Sequence, residues 1–178
     1  MVQQASSNKR QPLAATATSR QVRLEFRAGD GAYLNAMSEF PLRSPNAHVS
    51  GMVHFGRMLD KIRANARGEL PPDYHQNLGK GFDATCVKFL RIDYAALAER
   101  VQQGGSDESV LEWCYAHGHR PTADELDVWN EYMRKRGWRD ELAAILIRRK
   151  DEAGLSDRED IATFFDFIDV DEGRALPH

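Results

Sequence analysis

From residue 44 onward the chain repeats one device: a small polar or proline-led start, apolar residues at three-four spacing, and a glycine stop. Ser44-Pro45 reads as an N-cap with proline in the first helical turn. That predicts a helix to about Arg67, stopped at Gly68, with Val49, Met52, Val53, Gly56, Leu59, Ile62 and Ala66 as its apolar face. Pro71-Pro72 force an extended connection. Gly79-Lys80-Gly81 is a turn before a helix of about Phe82 to Leu90. Asp93 caps a helix of about Tyr94 to Gln103, closed by Gly104-Gly105, and Ser106 opens another that ends at Gly118. Thr122 with Glu125 forms a capping box, and that helix ends at Gly137. A further helix runs from about Arg139 to Ala153. Ser156 with Glu159 opens the last, which carries Ile161, Phe164, Phe165 and Ile168.

No proline falls inside these helices, and Val, Ile and Thr are too few for a sheet protein. The expected fold is all-α: a single compact bundle of about seven helices with short loops over 41–173. Residues 174–178 read as a short tail. Residues 1–40 read as a mostly disordered N-terminal arm, rich in Gln, Ser, Ala and Thr, with a short alternating stretch at 21–27 that suits a strand. The acid-poor opening also has the composition of a targeting segment.

Charge and cysteine content exclude several classes. The net charge of −3 argues against a dedicated nucleic-acid binder. No apolar run approaches the roughly 20 residues of a membrane span. Two cysteines build neither a disulfide scaffold nor a four-cysteine zinc site, and Cys86 and Cys114 fall on apolar faces as inert thiols. No His-Glu-x-x-His is present, and Asp169-Val-Asp171-Glu172-Gly173 opens like a calcium loop without completing one. No metal and no cofactor is expected. The Gly79-Lys80-Gly81 turn lacks the spacing of a phosphate loop.

The order of several short segments is informative. Val53-His-Phe-Gly-Arg-Met-Leu-Asp-Lys61, Gly68-Glu-Leu-Pro-Pro-Asp-Tyr74, Gly79-Lys-Gly-Phe-Asp83 and Glu112-Trp113 follow one another in a pattern that resembles the bacterial domain of unknown function 5069 family, over about Pro41 to Trp138. The resemblance implies a small, cytoplasmic, mainly helical bacterial protein and supplies no activity. Arg57, Lys61, Tyr74, Lys80, Gly81, Asp83 and Trp113 match its recurring positions.

Chemistry, if present, concentrates near the first long helix. On a continuous helix Ser50, His54, Arg57 and Lys61 share an arc of about 60°, away from the apolar face. Lys80 sits between two glycines ahead of a helix start, where backbone N–H groups favour an anion. Arg57, Lys61 and Lys80 are therefore candidate ligands for a carboxylate or phosphate. The same face serves equally as a solvated surface, with Arg57 paired to Asp83 or Asp60. Asp60 and Arg63, three apart at the edge of the apolar face, suit a half-buried ion pair. Tyr74 and His75 lie in the loop before the glycine turn, and His54, His75 or Asp83 can move a proton.

Two functional readings follow. One is a binding module that recognises an anionic small molecule or an acidic protein partner through the basic first-helix face and the loop from Asp73 to Asp83. The other is a small enzyme with an Arg57/Lys61/Lys80 anion clamp. A homodimer through the aromatic last helix, with Phe164, Phe165 and Phe167, is compatible with both.

Overall fold

The computed structural model describes residues 42–176, and the expected arm at 1–40 lies outside them. Among the described residues are eight helices: α1 Phe55–Ala66, α2 Pro72–His75, α3 Phe82–Leu90, α4 Tyr94–Gln102, α5 Asp107–His117, α6 Ala123–Arg134, α7 Ala143–Glu152 and α8 Phe164–Asp171. The domain is mostly helical, as expected, and none of these helices is long and apolar enough to cross a membrane.

The first long helix begins ten residues later than Ser44-Pro45 suggests, at Phe55. Proline at position 45 presets a turn here: the Ala47 amide donates to Ser44 O at 3.1 Å, and the Asn46 amide donates to Ser44 Oγ at 3.1 Å. A hairpin follows, β1 (His48–Val49) against β2 (Met52–Val53), antiparallel with Val49 opposite Met52. Its central residues Ser50 and Gly51 both have positive φ, as a two-residue hairpin turn requires. Val49, Met52 and Val53 are buried as expected, but through strand pairing and not on a helix face. Ala66 is exposed, and Ala64 takes the inward position.

Three other starts differ from the sequence reading. Pro71-Pro72 open the short α2 instead of an extended link, since proline suits a first helical turn. α7 starts at Ala143 and not Arg139, because the Asp140 carboxylate accepts from the Gly137 and Leu142 amides and holds a turn there. The last capping box is Thr163 with Asp166, not Ser156 with Glu159: the Asp166 amide donates to Thr163 Oγ1 at 3.2 Å and the Thr163 amide to Asp166 Oδ2 at 2.9 Å. Ser156 instead donates to Asp151. α3, α4, α5 and α6 begin within a residue of their expected starts.

α1 is the hub. Phe55, Met58, Leu59 and Ile62 pack with Cys86 and Leu90 of α3, Leu97 and Val101 of α4, Val110, Leu111 and Cys114 of α5, Trp129 and Met133 of α6, and Phe165 of α8. Burying each such side chain contributes about 1.5–3 kcal/mol before chain entropy is counted. Leu42, Ala64 and Leu70 form a smaller cluster beside it. α6 also ties down the hairpin: Asn130 accepts from the Val53 amide at 3.1 Å and donates to Gly51 O at 2.8 Å, and Trp129 Nε1 donates to Val53 O. Gly118 sits where α5 crosses the end of α3; a Cβ there would lie 2.2 Å from Leu90 O, so the crossing admits no side chain.

Candidate functional site

The residues marked as chemical by the sequence separate into three groups. The first is a buried triad. Asp83, in the first turn of α3, is wholly buried and accepts at Oδ1 from Lys61 Nζ at 2.6 Å and from His54 Nε2 at 3.0 Å. Its Oδ2 takes the Gly79 amide at 3.3 Å. The glycine turn thus folds back on α3's own carboxylate. Burial alone would raise the Asp83 carboxyl; the hydrogen bond from His54 and the Lys61 ammonium outweigh it and hold the group below its ordinary range. A carboxylate only accepts, so His54 carries its hydrogen on Nε2. Its Nδ1 is buried with no hydrogen-bond partner among the described residues. The ring lies between Phe82, edge-on at 5.7 Å, and Phe165, stacked at 6.2 Å. Burial lowers the His54 pKa, and Asp83 only partly opposes it. His54 also has φ +67 as the residue entering α1.

The second group closes the other side of α1. Arg57 forks onto Glu172 and donates to Arg43 O at 2.8 Å. Tyr74 donates its hydroxyl to the same Glu172 carboxylate, and burial with that bond raises its pKa. Arg174 reaches Glu172 at 2.6 Å, Asp169 at 3.1 Å and the Leu42 carbonyl. Asp169 in turn accepts from Ser44 Oγ at 2.8 Å. The expected Asp60–Arg63 pair is absent, because better-placed partners from other elements compete. Asp60 binds Arg43 at 2.6 Å, while Arg63 binds Asp107, which also holds Arg43. Gly56 makes room for this: a Cβ there would stand 2.6 Å from Arg43 Nη1.

Lys80 and His75, the third group, are exposed; His75 Nε2 lies 3.0 Å from Leu70 O. The structure therefore joins His54, Lys61 and Asp83, joins Arg57 with Tyr74, and leaves Lys80 apart from both in its hydrogen bonds. Sequence does not single out Arg43 or Arg174 and shows Glu172 only within the Asp169–Gly173 run, since the Arg57–Glu172 and Arg43–Asp107 pairs span 115 and 64 residues. Cys86 and Cys114 are buried and free, and burial pushes both thiols up, Cys114 to about 12. Among the described residues no three His, Cys, Asp or Glu side chains gather to hold a metal.

The open surface lies elsewhere. Two adjoining hollows of about 450 Å³ each run along α6. One is lined by Val128, Tyr132, Lys135 and Trp138. The other has the Phe89–Trp129 stack, at 4.6 Å, with Lys88, Arg91, Val128 and Tyr132. Val128 and Tyr132 border both, so the two hollows adjoin along α6 and are called the trough. Val128, Tyr132 and Trp138 are 69%, 45% and 51% exposed. The aromatics of α8 contrast with them, since Phe165 is buried and Phe164 and Phe167 are half-buried.

Residues 39–174 match the family described as Domain of unknown function (DUF5069). The chain belongs to that family. The match extends beyond Trp138 to include α7, α8 and the Glu172–Arg174 clasp, so the last forty residues are part of the family domain. No curated protein matches the chain.

Proposed function

We propose that this domain is a binding module whose contact surface is the α6 trough, and that its occupant is a segment of another polypeptide. One observation carries the reading: of the five large apolar side chains most exposed to water among the described residues, Val128, Tyr132 and Trp138 gather around the hollows along α6, while Ile145 and Ile147 of α7 lie outside them. Tyr and Trp are the side chains that interfaces favour, because they offer wide apolar area with few rotors to freeze. Val128 and Tyr132 lie four apart and point the same way from α6.

The anion clamp of Arg57, Lys61 and Lys80 draws less support. Glu172 and Asp83 already occupy the first two, and an incoming anion would have to displace a buried carboxylate from each. The enzyme reading also draws less support: His54 and Asp83 are shut from solvent, whereas a general base must reach the proton it moves, and the exposed His75 shares no hydrogen bond with Arg57, Lys61 or Lys80.

Selection of a random peptide library against the folded domain tests the proposal. Enriched peptides should lose binding to Tyr132→Ala and Trp138→Ala variants that melt at the wild-type temperature. Peptides that bind those variants as well as they bind the wild type would refute it. A thermal shift from phosphorylated or carboxylated metabolites, abolished by Lys80→Ala, would restore the anion reading.

A further inference from the structure

Resting on that reading, we propose that the trough selects an acidic partner: a peptide segment whose apolar anchor residues are bracketed by Asp or Glu. The argument concerns which charges along the trough remain available. Every carboxylate that lines it is already engaged within the chain. Glu131 holds Lys135 at 2.7 Å, Asp140 holds Arg136 at 2.9 Å, and Glu125 takes the Thr122 amide at 2.7 Å and His119 at 3.4 Å. Two cations that line it, and a third that contacts its Trp138, form no ion pair among the described residues. Lys88 and Arg91 line the hollow floored by Phe89 and Trp129. Arg139 lies with its guanidinium carbon 5.1 Å from the Trp138 ring centre, beside the other hollow.

The surplus along the trough is therefore positive, although the whole chain carries −3. Arg139 forms no ion pair or hydrogen bond among the described residues, and a guanidinium held near an indole keeps its N–H groups available to a carboxylate. Between these cations the floor is apolar and aromatic. A ligand that satisfies both features needs apolar side chains in its middle and carboxylates toward its ends. Charge complementarity of this kind governs partner choice and encounter rate more than total affinity.

Three dye-labelled synthetic peptides provide the test: a Leu-Phe core flanked on both sides by Glu, by Gln, or by Lys. Binding to the full chain is read by fluorescence anisotropy of the dye. Affinity should fall from the Glu to the Gln to the Lys peptide, and the Glu peptide should weaken with added salt. Lys88→Glu with Arg91→Glu should cost the Glu peptide about tenfold or more and narrow its advantage over the Gln peptide. Equal affinity for all three peptides, still lost in Trp138→Ala, would overturn the acidic preference while leaving the trough as a docking surface. Binding by none of them, or binding indifferent to Tyr132→Ala and Trp138→Ala, would overturn the trough itself. A single-stranded oligonucleotide that binds more tightly than the Glu peptide through the same cations would replace a protein partner with a nucleic acid. Self-association in sedimentation that Tyr132→Ala abolishes would make the occupant a second copy. Either result overturns the proposal.

Discussion

His54, Lys61 and Asp83 are hidden from water and bind one another, while Val128, Tyr132 and Trp138 stand in water around an open trough. By residue type alone the assignments would be reversed. A histidine, a lysine and an aspartate read as reagents, and a valine, a tyrosine and a tryptophan read as core. The difference teaches that chemical character does not locate a site; exposure and unsatisfied partners do. The charged knot ties α1 to α3, and the Arg57–Glu172 fork ties α1 to the end of α8.

The comparison breaks most sharply at Asp83. Asp83→Ala leaves Lys61 and His54 buried without their acceptor and should cost about 3–5 kcal/mol in urea unfolding. A loss below about 1 kcal/mol would mean that the knot does not hold the fold. Glu172→Gln removes the charge facing Arg57 and should cost about 1.5–3 kcal/mol, with Arg57 still held by Arg43 O. Gly118→Ala should cost about 1–3 kcal/mol, because backbone at Leu90 must move.

Acid sharpens the same contrast. The folded pKa of His54 lies below its unfolded value of about 6.5. The unfolded chain then binds more protons, so stability is full above that pH and declines as pH falls below it. Asp83 is also lowered, and its contribution is lost at more acid pH, below about 4. Unfolding measured between pH 7 and 5 should therefore slope downward with acid, and His54→Phe should flatten the slope. An unchanged slope would mean that other groups set it. Smallest of all, Val128→Ser and Tyr132→Ala should change stability by within about 0.5 kcal/mol, since neither side chain is buried. A large loss there would make the trough part of the core.

The helices from α3 to α6 were legible because their signals are local. Asp93, Ser106 and Thr122 each bond an amide three residues on, and the sequence displays that spacing directly. The hairpin was not, because Val49, Met52 and Val53 satisfy a helical stripe and a two-residue turn equally well. Arg57 and Lys61 read as a solvated face for a separate reason. Their burial depends on carboxylates 115 and 22 residues away, which no window of sequence can display. Ser156-Glu159 and Thr163-Asp166 show the same limit at a cap: both fit the spacing, and packing of Phe165 against the core selects the second. The trough is not legible either, because helical period marks an apolar stripe without saying which of its edges is covered.

The fork between Arg57 and Glu172 has a consequence for synthesis. While the ribosome is still making the C-terminal third, α1 carries a guanidinium whose counter-ion has not yet been joined to the chain. A transcript truncated shortly before codon 172 yields a polypeptide that must either enclose a bare positive charge or stay open, and proteolytic quality control will meet it in the open form.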